Sequence, residues 1–368
     1  MALGSVGVNN QNLGQGDIQG VERHFLFVGR AGNAEEESQL YSVNAQTDLA
    51  SMFADSPLRT QVLSAQQNAG QNWTAAVYPL ADAETINTAI DNANGVQSFE
   101  SVVVCDVQTT AEAISGIHDK LFSLQAKLGR FVSAIVALAG IDKVTQTWPQ
   151  YEAAMVALID TLANHLVVPV PQLHGNNVGV LAGRLCNRAV SIADSPMRVA
   201  TGSVMGLGVN PTDKDGTPLE LSTLSTLATA RFSVPQWYSG VEGIYWGDGT
   251  TLDAVGGDYQ VIENLRVVHK ASREVRILAI RRIANRALNS TPNSIELNKG
   301  YFMKPLRIMS KSYIILDQVF PGDVMAPVDG DITIEWKTRK QVVIYMVVRP
   351  YNSPKAITAN IMLDLSNI

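Results

Sequence analysis

Little in this chain of 368 residues is suited to chemistry. It has only two cysteines, Cys105 in VVVCDV and Cys186 in AGRLCNR. Apolar surroundings and the lack of a CxxC spacing predict buried free thiols, not a disulfide or a thiolate metal site. Charged residues make up 17% of the sequence, against roughly 25% in soluble domains generally, which points to a surface partly covered by partners. A net charge of −6 argues against general nucleic-acid binding, since phosphate contacts need clustered Lys and Arg. No apolar run approaches the ~18 residues of a membrane-spanning helix. The opening MALGSVGVNN has neither a basic n-region nor an apolar h-region, so no secretory signal is expected. The expectation is a protein made in a cytoplasm that stays soluble.

Ligand motifs are also missing. The five histidines, His24, His118, His165, His174 and His269, show no HExxH or other paired-ligand spacing. Val28-Gly-Arg-Ala-Gly32 is a glycine turn after a strand, where a helix N-terminus could hold phosphate. It lacks both GxGxxG and a Walker lysine, and reads as a turn. Gly202-Ser-Val-Met-Gly206 has the wrong spacing for a nucleophile elbow. Asp213 and Asp215 form a DxDG fragment without the rest of a calcium loop. Asp248, Asp253 and Asp258 flank glycines, as turn and cap residues do. No catalytic residue, metal or cofactor is expected.

Periodicity is well developed. Between residues 22 and 174, the apolar runs HFLFVGR, WTAAVYPL, SVVVCDV, RFVSAIVALAG and HLVVPVPQL alternate with helical stretches at 47–67, 82–93, 110–128 and 149–164. Near-continuous apolar strands between amphipathic helices predict a doubly wound α/β domain with a covered parallel sheet. Residues 175–206 read as a short helix and an irregular segment, and 209–222 as an exposed loop. ARFSVPQWY and VEGIYWGDG read as a strand pair. A long helix is expected over Tyr259–Leu288, with Val261, Leu265, Val268, Val275, Ala279 and Ile283 on one side. Arg266, His269, Lys270, Arg273 and Arg276 share a neighbouring arc of about 120°. Such an arc in an acidic protein suggests an anionic partner.

Both ends are tethers. Residues 1–21 are rich in Gly, Asn and Gln, with Val6 and Val8 among few apolar anchors, too few to order the segment unaided. At the other end, Ile357, Ala359, Ile361, Leu363 and Leu365 alternate with polar residues, the period of a half-buried strand. That strand follows the linker Pro350-Tyr-Asn-Ser-Pro354, which cannot continue a ladder. An apolar strand on a short tether must pair within its own domain or with a neighbour.

Four stretches resemble the shared core domain of contractile tail sheath proteins, found in tailed bacteriophages and related injection devices. Val178-Gly-Val-Leu-Ala-Gly183 resembles the start of that core. Gly243-Ile-Tyr-Trp-Gly-Asp-Gly-Thr-Thr-Leu252 resembles its strand-to-turn motif, although Asp248 and Gly249 stand where Ala and Arg are commoner. The long helix with Arg281-Arg282 and the closing VVRPYNSPKAITANIMLDL complete the likeness, which spans about residues 175–368. It implies a C-terminal α+β sheath-type domain at 175–350, an α/β outer domain at 22–174, an N-terminal arm at 1–21 and a linker and donated strand at 351–368.

The same resemblance implies a subunit that polymerises helically around an inner tail tube and contracts to drive it through a host envelope. Residues 4–9 and 357–366 would be donated to neighbouring sheets. Ile332, Ile334, Trp336, Val343, Ile344 and Met346 would form the accepting hairpin. Arg266, His269, Lys270, Arg273 and Arg276 would face the tube. Implied partners are other copies of the chain, the tube protein, and baseplate and tail terminator proteins, with no direct nucleic-acid contact and no membrane insertion. The implied location is the virion tail, assembled in the bacterial cytoplasm. Two alternatives stand beside this reading. One is a small-molecule enzyme with a pocket near Arg30, Asp106 or Ala139–Gly140. The other is a non-contractile tube or shell protein.

Overall fold

The computed structural model describes residues 20–359. Of the expected arms, Val6, Val8, Ile361, Leu363 and Leu365 lie outside the described residues. Ile357 and Ala359 lie within them, exposed and in neither helix nor strand.

Six strands form one sheet: β1 (Phe25–Arg30), β2 (Tyr41–Asn44), β3 (Thr74–Leu80), β4 (Ser101–Gln108), β5 (Ser133–Leu138) and β6 (Val167–Pro171). Their order is β2-β3-β1-β4-β5-β6. Every neighbouring pair is parallel except β2 with β3. From β1 the chain winds out to β3, then returns past β1 to β4, β5 and β6, which is the doubly wound arrangement the periodicity predicts. Strand β5 is buried throughout, β1 in all but its last residue and β4 over its first five, because helices cover both faces.

The helices are α1 (Leu49–Met52), α2 (Pro57–Ala69), α3 (Ile86–Val96), α4 (Ala111–Leu128), α5 (Trp148–Ile159) and α6 (Asn177–Cys186). Local chemistry sets their starts: Ser56, Thr85 and Thr110 each accept a backbone N–H three residues on. Ser56 and Pro57 thereby split the helix expected over 47–67 into α1 and α2. Helices α2 and α6 pack closely against each other, and α3 packs on α4.

The core does not end at residue 174. Helix α6 is buried throughout, because Gly179 and Gly183 let its backbone reach that of α2. A Cβ on Gly179 would lie 2.1 Å from the Gln61 carbonyl oxygen, and one on Gly183 2.4 Å from that of Ala65. One continuous cluster then takes in Leu224 and Leu227 of α7 (Leu221–Thr229), Trp246, Leu252, and Ile262 and Leu265 of the next long helix. The expected strand pair is reduced to β7 (Pro235–Gln236) with β8 (Tyr245–Trp246).

The remaining chain is built on α8 (Ile262–Ile280), shorter than the helix expected over Tyr259–Leu288. It continues with α9 (Pro292–Phe302), α10 (Lys304–Met309) and two separate hairpins. These are β9 (Tyr313–Ile315) with β10 (Gln318–Phe320), and β11 (Ile332–Thr338) with β12 (Gln341–Met346). Two small apolar clusters hold this region, one around Val267, Ala271 and Leu306 and one around Phe302 and Ile332.

Candidate functional site

The glycine turn after β1 offers no seat for phosphate. A Cβ on Gly32 would lie 2.6 Å from that of Ala54, and the buried Glu36 carboxylate accepts the Ala54 N–H at 2.6 Å. At the strand ends Asp106 accepts the Arg30 N–H at 3.0 Å. Gly140 packs on Gln172, whose carbonyl oxygen would be 2.4 Å from a Cβ. These groups are tied up by the protein itself. Among the described residues no group of His, Cys, Asp and Glu is placed to hold a metal, and no helix is long and apolar enough to cross a membrane. Cys105 and Cys186 are buried and free, and burial pushes both thiols up from their ordinary pKa.

The C-terminal hairpin is the most unfinished element. Its register pairs Ile332 with Met346, Ile334 with Ile344 and Trp336 with Val342. Alternation puts these six side chains on one face, and all but Trp336 join the cluster of Phe302 and Met303. Of the candidate acceptor residues, Val343 alone takes the opposite face, opposite Glu335. Val342, which joins the inner face, was readable from the same alternation. Among the described residues neither β11 nor β12 pairs with a third strand, so both outer edges are open. A lone two-stranded hairpin is marginal in water, and an open edge is a template for another strand.

Between this hairpin and the end of α8 lies a cavity of about 1180 Å³. Ala279, Leu288, Phe302, Val342 and Ile344 give it an apolar lining, and Arg282, Arg286, Arg339 and Lys340 supply positive charge. Among the described residues no Asp or Glu lines it.

The basic arc of α8 is assembled as expected, but Arg266, His269 and Arg273, expected to face a tube, are buried against the body, and Lys270 and Arg276 are half-buried. Arg266 and Glu100 are 3% and 1% exposed and form a two-pronged pair, Nε to Oε1 at 2.6 Å and Nη2 to Oε2 at 3.1 Å. Arg266 also donates to the Leu185 carbonyl at 3.0 Å. Burial alone would raise the Glu100 pKa, but Arg266 and Arg273 with the Arg23 N–H outweigh it and hold the carboxyl below its usual range. Burial would likewise lower the Arg266 pKa, and Glu100 reverses that.

Arg273 donates to the Phe131 carbonyl at 3.0 Å and pairs with Glu22 at 2.9 Å. His269 is buried against Phe131, and burial, with Arg273 adding, lowers its pKa to about 3. Lys270 reaches the buried Asp323 at 2.7 Å. Arg276 lies over Gly129, the left-handed cap of α4, where a Cβ would be 2.1 Å from its Nε. Arg266, Lys270 and Arg273 thus find their anionic partners, Glu100, Asp323 and Glu22, within the protein's own body.

Comparison with known proteins agrees with this architecture. Residues 3–250 match the N-terminal domain model of DUF2586, and residues 258–366 match its C-terminal domain model. A protein designated a tail sheath protein in Haemophilus phage HP1 is 46% identical over 99% of both chains. A chain of the anti-feeding prophage baseplate in its contracted state superposes with a TM-score of 0.61 at 15% identity, covering 100% of each chain. A sheath tail protein from Desulfitobacterium hafniense gives a TM-score of 0.56 at 9% identity, over 94% of this chain and 96% of the other. The chain belongs to the DUF2586 family and, with it, to the tail sheath proteins of contractile bacteriophage tails and related injection devices.

Proposed function

We propose that the chain is the repeating subunit of a contractile sheath, which polymerises helically around an inner tail tube and contracts to drive that tube through a host envelope. The observation that carries this reading is the β11–β12 hairpin, packed on one face and, among the described residues, unpaired on both edges, in a chain whose last residues alternate apolar and polar in sequence beyond an exposed linker. Residues 357–366 of one subunit would extend the hairpin of a neighbour, and residues 4–9 would add at the other edge. Because donor and acceptor surfaces differ, the contact is heterologous and propagates as a helix instead of closing.

The inward arc of α8 moves the tube contact elsewhere. We place it on the exposed Arg286, Arg339 and Lys340 at the open end of the cationic cavity. Rim charges of this kind are individually weak and salt-dependent, which suits a contact repeated along a tube and broken in firing. The energy of contraction would reside in a metastable lattice that shifts between two packings, without nucleotide hydrolysis. Assembly would take place in the bacterial cytoplasm, with baseplate and terminator proteins bounding the polymer in the virion tail.

Truncation tests the reading. Removing residues 356–368 should abolish cylinders in electron micrographs while circular dichroism and the unfolding midpoint of the body stay unchanged. Cylinders of normal length from the truncated chain would contradict strand donation.

A further inference from the structure

Residues 351–359 run exposed and without helix or strand, and among the described residues they make no backbone–backbone hydrogen bond. Yet one side chain in the stretch is firmly seated. Lys355 Nζ lies 2.7 Å from Asp248 Oδ1 and 2.6 Å from Glu263 Oε1, and its side chain is 31% exposed. The seat is built from several elements. Asp248 follows β8 and also accepts from Ser195 Oγ at 3.0 Å and from the Gly249 N–H at 2.9 Å. Glu263 opens α8, where a helix favours negative charge, and its side chain is 7% exposed. Its second oxygen is buried with no hydrogen-bond partner among the described residues. Burial and the neighbouring Asp248 push the Glu263 pKa up, and Lys355 counters them. An ammonium is the group this seat requires, because without it two carboxylates would face each other, one of them almost fully buried.

The next anchor back along the chain is of another kind. Arg349 is held by backbone: its carbonyl accepts the Met325 N–H at 2.7 Å, and Asp331 pairs with its guanidinium and also accepts the Val347 N–H at 2.9 Å through its own carbonyl. The linker is therefore fixed to its own subunit twice, by backbone at Arg349 and by a single side chain at Lys355.

We propose that Lys355 is a releasable pin which stores slack in the C-terminal tether, an inference that rests on the strand-donation reading above. With the pin seated, the free tether runs only from residue 355 to the donated strand at 357. With it released, the tether runs from 349 to 357. The six residues gained add at most about 20 Å of reach, at roughly 3.3–3.6 Å per fully extended residue. A strand kept in a neighbour's sheet while the two bodies shift requires such slack, and the side-chain contact is the fastening that yields before the backbone one.

The geometry suits a zero-length test. A water-soluble carbodiimide condenses the Lys355 amine with a touching carboxylate, forming an amide while the reagent takes up the water and leaves as a urea. Peptide mapping should find residue 355 joined to 263 or 248 in the full-length subunit and in extended polymers, and unjoined when coupling is done on contracted polymers. Coupled extended polymers should no longer contract, whereas those of Lys355→Arg, which keeps the cation but does not couple, should contract after the same treatment. Equal coupling in both states, or normal contraction of the coupled wild type, would overturn the pin.

A second readout needs no polymer. Trypsin cleavage after Lys355 in the free subunit should become about tenfold faster or more in the Asp248→Asn/Glu263→Gln double variant, because cleavage tracks the released population. Unchanged cleavage overturns the pin whether or not the chain polymerises. Accelerated cleavage together with normal cylinders from the chain lacking residues 356–368 would instead tell against strand donation and leave the pin standing.

Discussion

The region from Phe25 to Leu265 and the region after it bury apolar surface to different degrees. In the first, one cluster joins a six-stranded sheet, its covering helices and the Trp246 corner, with Trp73, Phe27, Ile90 and Trp246 almost wholly enclosed. In the second, two small clusters suffice, while Ile314 and Val319 on one hairpin and Tyr345 on the other stay exposed. Strands confined to two-membered sheets with exposed apolar residues are incomplete as a monomer's surface. The body is finished by its own sequence, whereas among the described residues the C-terminal region leaves its strand edges unpaired. Helix α8 links the two, its first half clamped to the body by charges and its second half lying under the open hairpin.

Several substitutions break or sharpen that contrast. The largest stability effect should come from the clamp. Glu100→Gln or Arg266→Met leaves one partner buried without the other, and should cost about 3–5 kcal/mol in denaturant unfolding. The double variant should recover much of that loss, since removing both charges also removes their desolvation cost. Equal losses in single and double variants would mean that the pair is not coupled.

Next comes the seam between α2 and α6. Gly183→Ala should destabilise by about 1–3 kcal/mol or more, because the new methyl meets backbone and not a yielding side-chain tip. A midpoint unchanged from wild type would show that the helices separate freely.

A smaller effect follows from His269. Its folded pKa of about 3 lies below the unfolded value, so the unfolded chain binds the extra proton. Its contribution is complete above the unfolded pKa and is lost as pH falls toward the folded one. Acidifying from pH 7 to 5 should cost about 2 kcal/mol through this residue, and the unfolding of His269→Phe should lack that share of the slope. The smallest stability effect belongs to the unfinished region. Arg339→Glu with Lys340→Glu should alter unfolding by less than ~0.5 kcal/mol while weakening assembly around a tube. A large stability loss there would mean that these exposed cations serve the fold and not a partner.

Much of the body was legible because period-two and period-3.6 patterns are local properties of the chain. The five long strands and the helices between them followed from apolar runs alone. The edge strand Tyr41–Asn44 did not, having four residues and one fully buried side chain. The Ser56-Pro57 start of α2 was written in the sequence as a cap followed by a first-turn proline. The core runs on past residue 174 for a non-local reason: Gly179 and Gly183, four apart, let α6 join it. The α8 arc shows the same limit. Periodicity gathered Arg266, His269, Lys270 and Arg273 on one face but could not know that Glu22, Glu100 and Asp323, distant in sequence, would meet them. The strands β11 and β12, by contrast, contain the six residues for which the resemblance, not periodicity, implies a hairpin.

The account turns on where the last strand goes, and cryo-electron microscopy of the assembled full-length chain tests it most directly. Residues 357–366 of each subunit should add as a third strand to the β11–β12 hairpin of a different subunit, with continuous density leading back through Lys355 to the donor. A terminal strand folded onto the hairpin of its own subunit, in a polymer held together by other surfaces, would contradict it.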